Sequence, residues 1–219
     1  QVLFNTLMAT VSAGDEVIIP GPYWASYPDM VKLAGGTPVF VSAGQNEKFK
    51  MRPSELEAAI TPQTKWFMFC SPSNPTGAAY SWDELQALAD VLLAHPHVHI
   101  LTDDVYEHLI FDDHKFATLA QVEPRLYDRT VTCNSVSKAF SMTGFRVGYA
   151  GGPKDIIAKM SNMQSQSTAG VSALGQAAAV AALNGPQDLL AERAANLQRR
   201  RGILFEKLNA AKGLSCDLP

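Results

Sequence analysis

Lys65-Trp66-Phe67-Met68-Phe69-Cys70-Ser71-Pro72-Ser73-Asn74-Pro75-Thr76-Gly77 decides the architecture. Its first half is an unbroken apolar and aromatic run, as in a strand covered on both faces, and its second half is a turn that cannot prolong one. The same event recurs along the chain. Candidate strands fall at 16–20, 37–41, 65–70, 98–103, 130–134 and 146–150, and Val17-Ile18-Ile19 is as continuously apolar as Trp66-Phe67-Met68-Phe69. Between the strands lie helical patterns with recognisable starts. Ser54 precedes Glu55-Leu56-Glu57, and Ser81-Trp82-Asp83-Glu84 fits a capping box, in which hydroxyl and carboxylate each accept the other residue's backbone N–H. The helix after Ser81 carries Leu85, Leu88, Ala89 and Leu92 on one face. Strands alternating with helices predict an α/β fold, a three-layer α/β/α sandwich around a mostly parallel sheet.

From about Pro153 the strand pattern stops, and helices are predicted over 153–166, 171–183 and 186–211. The last bears Arg193, Arg199, Arg200, Arg201 and Lys207, with Gly213 as its terminator. The arginine run at 199–201 reads as the solvated face of that helix. Asn184-Gly185-Pro186 is the best boundary, dividing a larger unit at 1–185 from a long helix and the start of a further segment at 186–219. The chain enters an apolar helical pattern directly at its first residues (Val2, Leu3, Phe4, Leu7, Met8, Val11) and stops at Pro219 as a new segment begins. It therefore reads as a piece of a longer protein.

Composition excludes several classes. Of 219 residues, 47% are hydrophobic and 18% charged, too apolar and too mixed in sign for a disordered chain. A net charge of −3 gives no basic footprint for nucleic acid. No apolar run approaches the roughly 20 residues that crossing a bilayer requires, and no signal peptide is visible. Cys70, Cys133 and Cys216 are odd in number and widely spaced, which points to a reducing cytoplasm rather than to a disulfide framework or zinc. His95, His97 and His99 alternate around Pro96, but no acidic or cysteine ligand accompanies them in sequence. They read as exposed imidazoles at a loop-to-strand junction, and no metal is expected.

In parallel α/β sheets, ligands bind beyond the carboxyl ends of the strands. Four chemically equipped segments fall there: Gly21-Pro22-Tyr23-Trp24, Ser71 to Gly77, Thr102-Asp103-Asp104-Val105-Tyr106 and Asn134-Ser135-Val136-Ser137-Lys138. Each alone is weak, since Pro/Gly turns after strands are common. Together they would converge on one rim.

Ser135-x-Ser137-Lys138, followed by Arg146 within Thr143-Gly144-Phe145-Arg146-Val147-Gly148, resembles the lysine segment of fold-type I pyridoxal-phosphate enzymes. Ser-Pro-Ser-Asn-Pro-Thr-Gly and Asp-x-x-Tyr resemble the other two hallmarks of class I aminotransferases. Gly-Pro-Tyr-Trp-Ala-Ser-Tyr-Pro and Tyr106-Glu107-His108-Leu109 resemble the bacterial aspartate aminotransferase branch. The resemblance spans nearly the whole chain.

It implies the cofactor pyridoxal 5′-phosphate. Lys138 would hold it covalently and, once displaced by the substrate amine, move a proton between substrate and cofactor. Asp103 would pair with the pyridine nitrogen, and Tyr106 and Asn74 with the phenolic oxygen. Trp24 would stack on the ring, and Ser135 and Arg146 would bind the phosphate, which should also face the start of the first helix. Trp24 and Asn74 would also touch substrate. Each has a plainer reading: a solvated lysine for Lys138, a buried tyrosine satisfying a core acceptor for Tyr106, a core tryptophan for Trp24. Asp104 is the competing strand-end carboxylate, and the role falls on Asp103 because Tyr106 lies three residues on.

The resemblance also implies cis bonds at Gly21-Pro22 and Asn74-Pro75, amino-acid and 2-oxo-acid substrates (aspartate, or prephenate as in some relatives), a homodimer, and no nucleic-acid or membrane partner. The sequence departs from the pattern at Cys70 and Phe145, where asparagine and tryptophan are usual. Gln1 matches the end of a phosphate-binding turn whose glycine and lysine lie outside the chain. The arginine that grips the substrate carboxylate would belong to a small domain beyond 219. Two other readings stay open: a fold-type I lyase or synthase, and a cofactor-binding fragment or sensor domain without turnover.

Overall fold

Six strands build one sheet in a computed structural model that describes residues 1–219. They are β1 (Glu16–Gly21), β2 (Thr37–Ser42), β3 (Thr64–Cys70), β4 (His99–Asp103), β5 (Thr130–Ser135) and β6 (Gly148–Gly151), in the order β2-β1-β3-β4-β5-β6. Every neighbouring pair is parallel except β5 and β6, which run antiparallel. All six predicted strands are present. The last starts later than predicted, because Arg146 adopts φ +58° and ends the 3₁₀ turn Thr143–Phe145, so it belongs to the turn before β6.

The continuous apolar runs follow from two covered faces. Ile18, Phe67, Phe69 and Ile100 point into one core; Val17, Ile19, Trp66, Met68, Leu101 and Val131 point into the other. The first core is closed by α3 (Pro53–Ala59), α4 (Trp82–Ala94) and α5 (Leu119–Val122), through Leu56, Leu85, Leu88, Leu92 and Leu119. The second is closed by α1 (Val2–Thr10), α2 (Ser26–Leu33) and α6 (Lys154–Ser167), through Leu7, Val11, Tyr27, Val31, Ile156 and Met160. Each fully buried leucine contributes roughly 1.5–3 kcal/mol relative to leaving it exposed. The result is the α/β/α sandwich predicted.

The capping box of α4 forms as read: the Glu84 N–H donates to Ser81 Oγ (3.3 Å) and the Ser81 N–H donates to Glu84 Oε2 (2.7 Å). The α3 start is corrected. Pro53, not Glu55, is its first residue, and the Arg52 N–H donates to Glu55 Oε2 at 2.8 Å. Pro53 opens a helix at no cost because the N–H it lacks has no acceptor there.

Beyond β6 come α6, then α7 (Ala173–Asn184) and α8 (Asp188–Ala210). Ala179 of α7 and Leu190 of α8 pack on Val136, Ala139, Phe140 and Val147, so these helices buttress the segment after β5. The solvated reading of the arginine run holds for Arg199 and Arg200 and fails for Arg201. Its side chain is nearly buried, pairs with Asp112 at 2.6 Å and lies over the Phe111 ring, because the segment after Tyr106 folds onto α8. The histidines are corrected too. His99 is half-buried inside β4 against Trp66, and His95 Nε2 sits 3.0 Å from Glu57. No helix is long and apolar enough to cross a membrane.

Candidate active site

Side-chain alternation aims the rim. Asp103 shares the parity of Leu101, so its carboxylate faces the α1–α2–α6 side, where the Tyr27 hydroxyl of α2 donates to Oδ2 at 2.7 Å. Burial pushes the Asp103 carboxyl up, opposed by the Tyr27 hydroxyl, the Val105 N–H and the Lys138 ammonium. Burial likewise drives the Tyr27 pKa far above its usual value, with the neighbouring Cys70 and Asp103 adding, so it is a permanent donor. In the strand register Cys70 and Cys133 are the lateral partners of Asp103. Burial pushes the Cys70 thiol up to about 12, and it donates to the Pro72 carbonyl at 3.2 Å. Asp104 has the opposite parity. It is buried beneath the rim, and burial, together with the charges of Asp103 and Glu107, raises its pKa to about 7.

Lys138 lies in the turn after β5 with its ammonium 6.0 Å from the centroid of the Tyr106 ring. Tyr106 is half-buried; burial first, then Cys70 and Asp103, raise its pKa, while the adjacent Asn74 amide pulls the other way. Trp24 is 42% exposed and meets Tyr27 edge-on, centroids 5.5 Å apart, which leaves a broad indole surface open at the rim.

Ser135 is the last residue of β5, and its Oγ accepts the Ser137 N–H at 3.2 Å, which leaves the hydroxyl hydrogen free to donate elsewhere. Antiparallel pairing sets Ser135 opposite Gly148, so the turn bearing Arg146 lies beside the Ser135–Lys138 segment. The guanidinium is exposed and donates to the Thr143 carbonyl at 2.9 Å. A Cβ on Gly148 would lie 3.7 Å from Val2 and 3.3 Å from the Asn134 carbonyl, so the start of α1 also borders this turn.

The seven residues singled out in the sequence, Trp24, Asn74, Asp103, Tyr106, Ser135, Lys138 and Arg146, thus meet along one edge of the sheet. Gly21-Pro22 and Asn74-Pro75 are cis as the resemblance implied, and Ser71-Pro72, which was not singled out, is cis as well. Tyr27 was missed. It sits inside the quoted Gly-Pro-Tyr-Trp-Ala-Ser-Tyr-Pro motif, but no helix was predicted there and nothing in the sequence pairs it with a carboxylate on β4. Glu107 and Asn134 were missed too, although both sit inside quoted motifs; the Asn134 amide donates to Glu107 Oε1 at 2.6 Å.

The chain is 60% identical over 219 residues to an aspartate/prephenate aminotransferase from Cereibacter sphaeroides, covering 100% of this chain and 55% of that protein. It superposes on the crystal structure of an aspartate aminotransferase from Rhizobium meliloti with TM-score 0.98 at 52% identity, again over all of this chain and 55% of the other. An aromatic aminotransferase from Pyrococcus horikoshii OT3 matches with TM-score 0.95 at 34% identity, over 100% and 58% of the two chains. The chain spans about half the length of the curated relatives it matches. A sequence profile described as aminotransferase class I and II aligns with residues 1–218, and the chain belongs to that family.

Proposed function

We propose that this chain is the cofactor-binding part of a pyridoxal-5′-phosphate-dependent aminotransferase that moves an amino group between an L-amino acid, aspartate first, and a 2-oxo acid. Residues 1–185 form the cofactor domain, and 186–219 lead by α8 towards a second domain. The protein is a cytoplasmic homodimer.

The observation that carries this reading is the buried Asp103 carboxylate, held on one side by Tyr27 and reached from the rim by the charge of Lys138. A carboxylate so placed fits a ring nitrogen that must stay protonated. The other donors match the remaining atoms: Tyr106 and Asn74 suit the phenolic oxygen, and the Ser135 hydroxyl and the exposed Arg146 guanidinium suit the phosphate. When bound, the cofactor supplies an electron-accepting ring. Lys138 supplies the amine that holds it and then takes a proton from the substrate Cα and returns it on the other side of the exchange. Asp103 keeps the ring cationic. Trp24 offers apolar area against which a flat ring packs, worth about 1 kcal/mol beyond burial.

The test is a full-length protein given L-aspartate and 2-oxoglutarate. Glutamate formation, with a yellow borohydride-trappable chromophore that disappears in Lys138→Ala, supports the reading. Retained colour with neither glutamate from aspartate and 2-oxoglutarate nor amination of prephenate by an amino-acid donor sinks the transfer activity, and a wild type that never takes up cofactor sinks the site.

A further inference from the structure

Asn134 bridges two turns that the reaction proposed above treats separately. Its Nδ2 donates to Glu107 Oε1 at 2.6 Å, and its Oδ1 accepts the N–H of Ser135 at 2.7 Å. Both ends of one amide are therefore used, which fixes its orientation. Glu107 lies one residue beyond Tyr106, and its N–H donates to the Asp104 carbonyl at 2.9 Å, closing the turn that directly follows Asp103. Ser135 Oγ accepts the Ser137 N–H, one residue before Lys138.

A continuous path thus runs from the Asp103–Tyr106 turn through Glu107 and Asn134 to Ser135. It crosses on the face opposite Asp103, since Asn134 has the other parity from Val131 and Cys133. Glu107 is the charged member, and a bond from an amide to a carboxylate is about twice as strong as one between neutral groups. Its other neighbours are His108, with Nε2 at 3.3 Å, and Tyr149, whose pKa is raised by burial first and by Glu107 second. Neither replaces Asn134 as the bridge to Ser135.

We propose that Glu107, acting through Asn134, is a positioning residue that ties down the Ser135 backbone N–H and so places the Ser135 hydroxyl for the phosphate, at a fixed offset from Asp103 and Tyr106. Glu107 touches neither cofactor nor substrate. This rests on the reading of the site given above.

The test compares pyridoxal 5′-phosphate with pyridoxal, which lacks the phosphate, by absorbance titration of the full-length protein. Glu107→Ala and Asn134→Ala should each weaken pyridoxal 5′-phosphate about tenfold. Pyridoxal binding and the unfolding midpoint of the cofactor-free protein should stay as in wild type. The double variant should lose no more than either single one, because both cut the same path. Glu107→Gln, whose side-chain carbonyl still accepts, should stay within about threefold of wild type. Equal losses for the two ligands, or additive losses in the double variant, overturn the brace while leaving the cofactor site intact. A wild type that binds neither ligand overturns the functional reading itself, and this proposal falls with it.

Discussion

The Tyr27 hydroxyl donates to the Asp103 carboxylate at 2.7 Å across 76 residues of sequence, from the first turn of α2 to the last residue of β4. The donor is buried, and its pKa lies far above the usual phenol value, chiefly through that burial, so it is protonated at every accessible pH. Its effect on Asp103 is to favour the charged form against burial.

Tyr27→Phe removes that donor and leaves the ring in place. The Asp103 carboxyl then titrates at higher pH, and the acid limb of the pH–rate profile of the full-length protein moves up. Turnover at neutral pH should fall about tenfold, the worth of one hydrogen bond to a charged group. An unmoved acid limb would remove Tyr27 from the account.

Asp104 makes stability depend on pH. Its folded pKa of about 7 lies above the ordinary carboxyl value, with burial the main cause. Between those two values the folded chain holds more protons than the unfolded one, so stability falls as pH rises from about 4 to 7 and levels off above. Asp104→Asn should remove the Asp104 share of that slope, leaving the part that Asp103 contributes, and gain on the order of 2 kcal/mol at pH 8 relative to wild type. Denaturant midpoints at pH 5, 6, 7 and 8 would show it, and parallel slopes in the two proteins would refute it.

Gly175 in α7 is a contact point for the Arg146 turn. A Cβ there would stand 2.9 Å from the Phe145 carbonyl oxygen and 3.1 Å from Val147 Cγ2. Alanine gains about 1 kcal/mol of helix propensity, but a backbone oxygen cannot swing aside. Overpacking of roughly 1–3 kcal/mol should win. The expected result for Gly175→Ala is a lower denaturant midpoint with weaker cofactor uptake; a raised midpoint would show that the turn yields freely.

Arg201 clasps the segment after Tyr106 to α8 through Asp112 at 2.6 Å and the Phe111 ring at 5.0 Å. Asp112 is half-exposed, so the ion pair is worth at most about 1 kcal/mol. Arg201→Gln should change global stability little and speed amide exchange across residues 109–114. Unchanged exchange there would mean that the segment holds itself in place.

The sandwich was legible because β1, β3 and β4 carry apolar residues on both sides, as Val17-Ile18-Ile19 does, and because Ser81 and the Asn184-Gly185-Pro186 turn punctuate the helices. The rim was legible because its residues cluster immediately after strands. What escaped were relations between distant segments. Periodicity along α8 cannot reveal that residues 111 and 112 fold over Arg201, so a buried arginine looked solvated. His99 looked like a junction residue because the flanking His95 and His97 are polar, whereas the β3 neighbour Trp66 gives it half-burial. Arg146 reads as the first residue of an apolar strand, and only the left-handed backbone at that position puts it in the turn instead.

The two sulfurs beside Asp103 have a consequence of their own. Cys70 spends its proton on a carbonyl, and Cys133 is sealed in the core, so neither strand next door offers the carboxylate a strong partner. Its donors therefore come from Tyr27 and the Val105 N–H rather than from the flanking strands, and a serine at either position would add a competing donor and soften the pull on any cation arriving there.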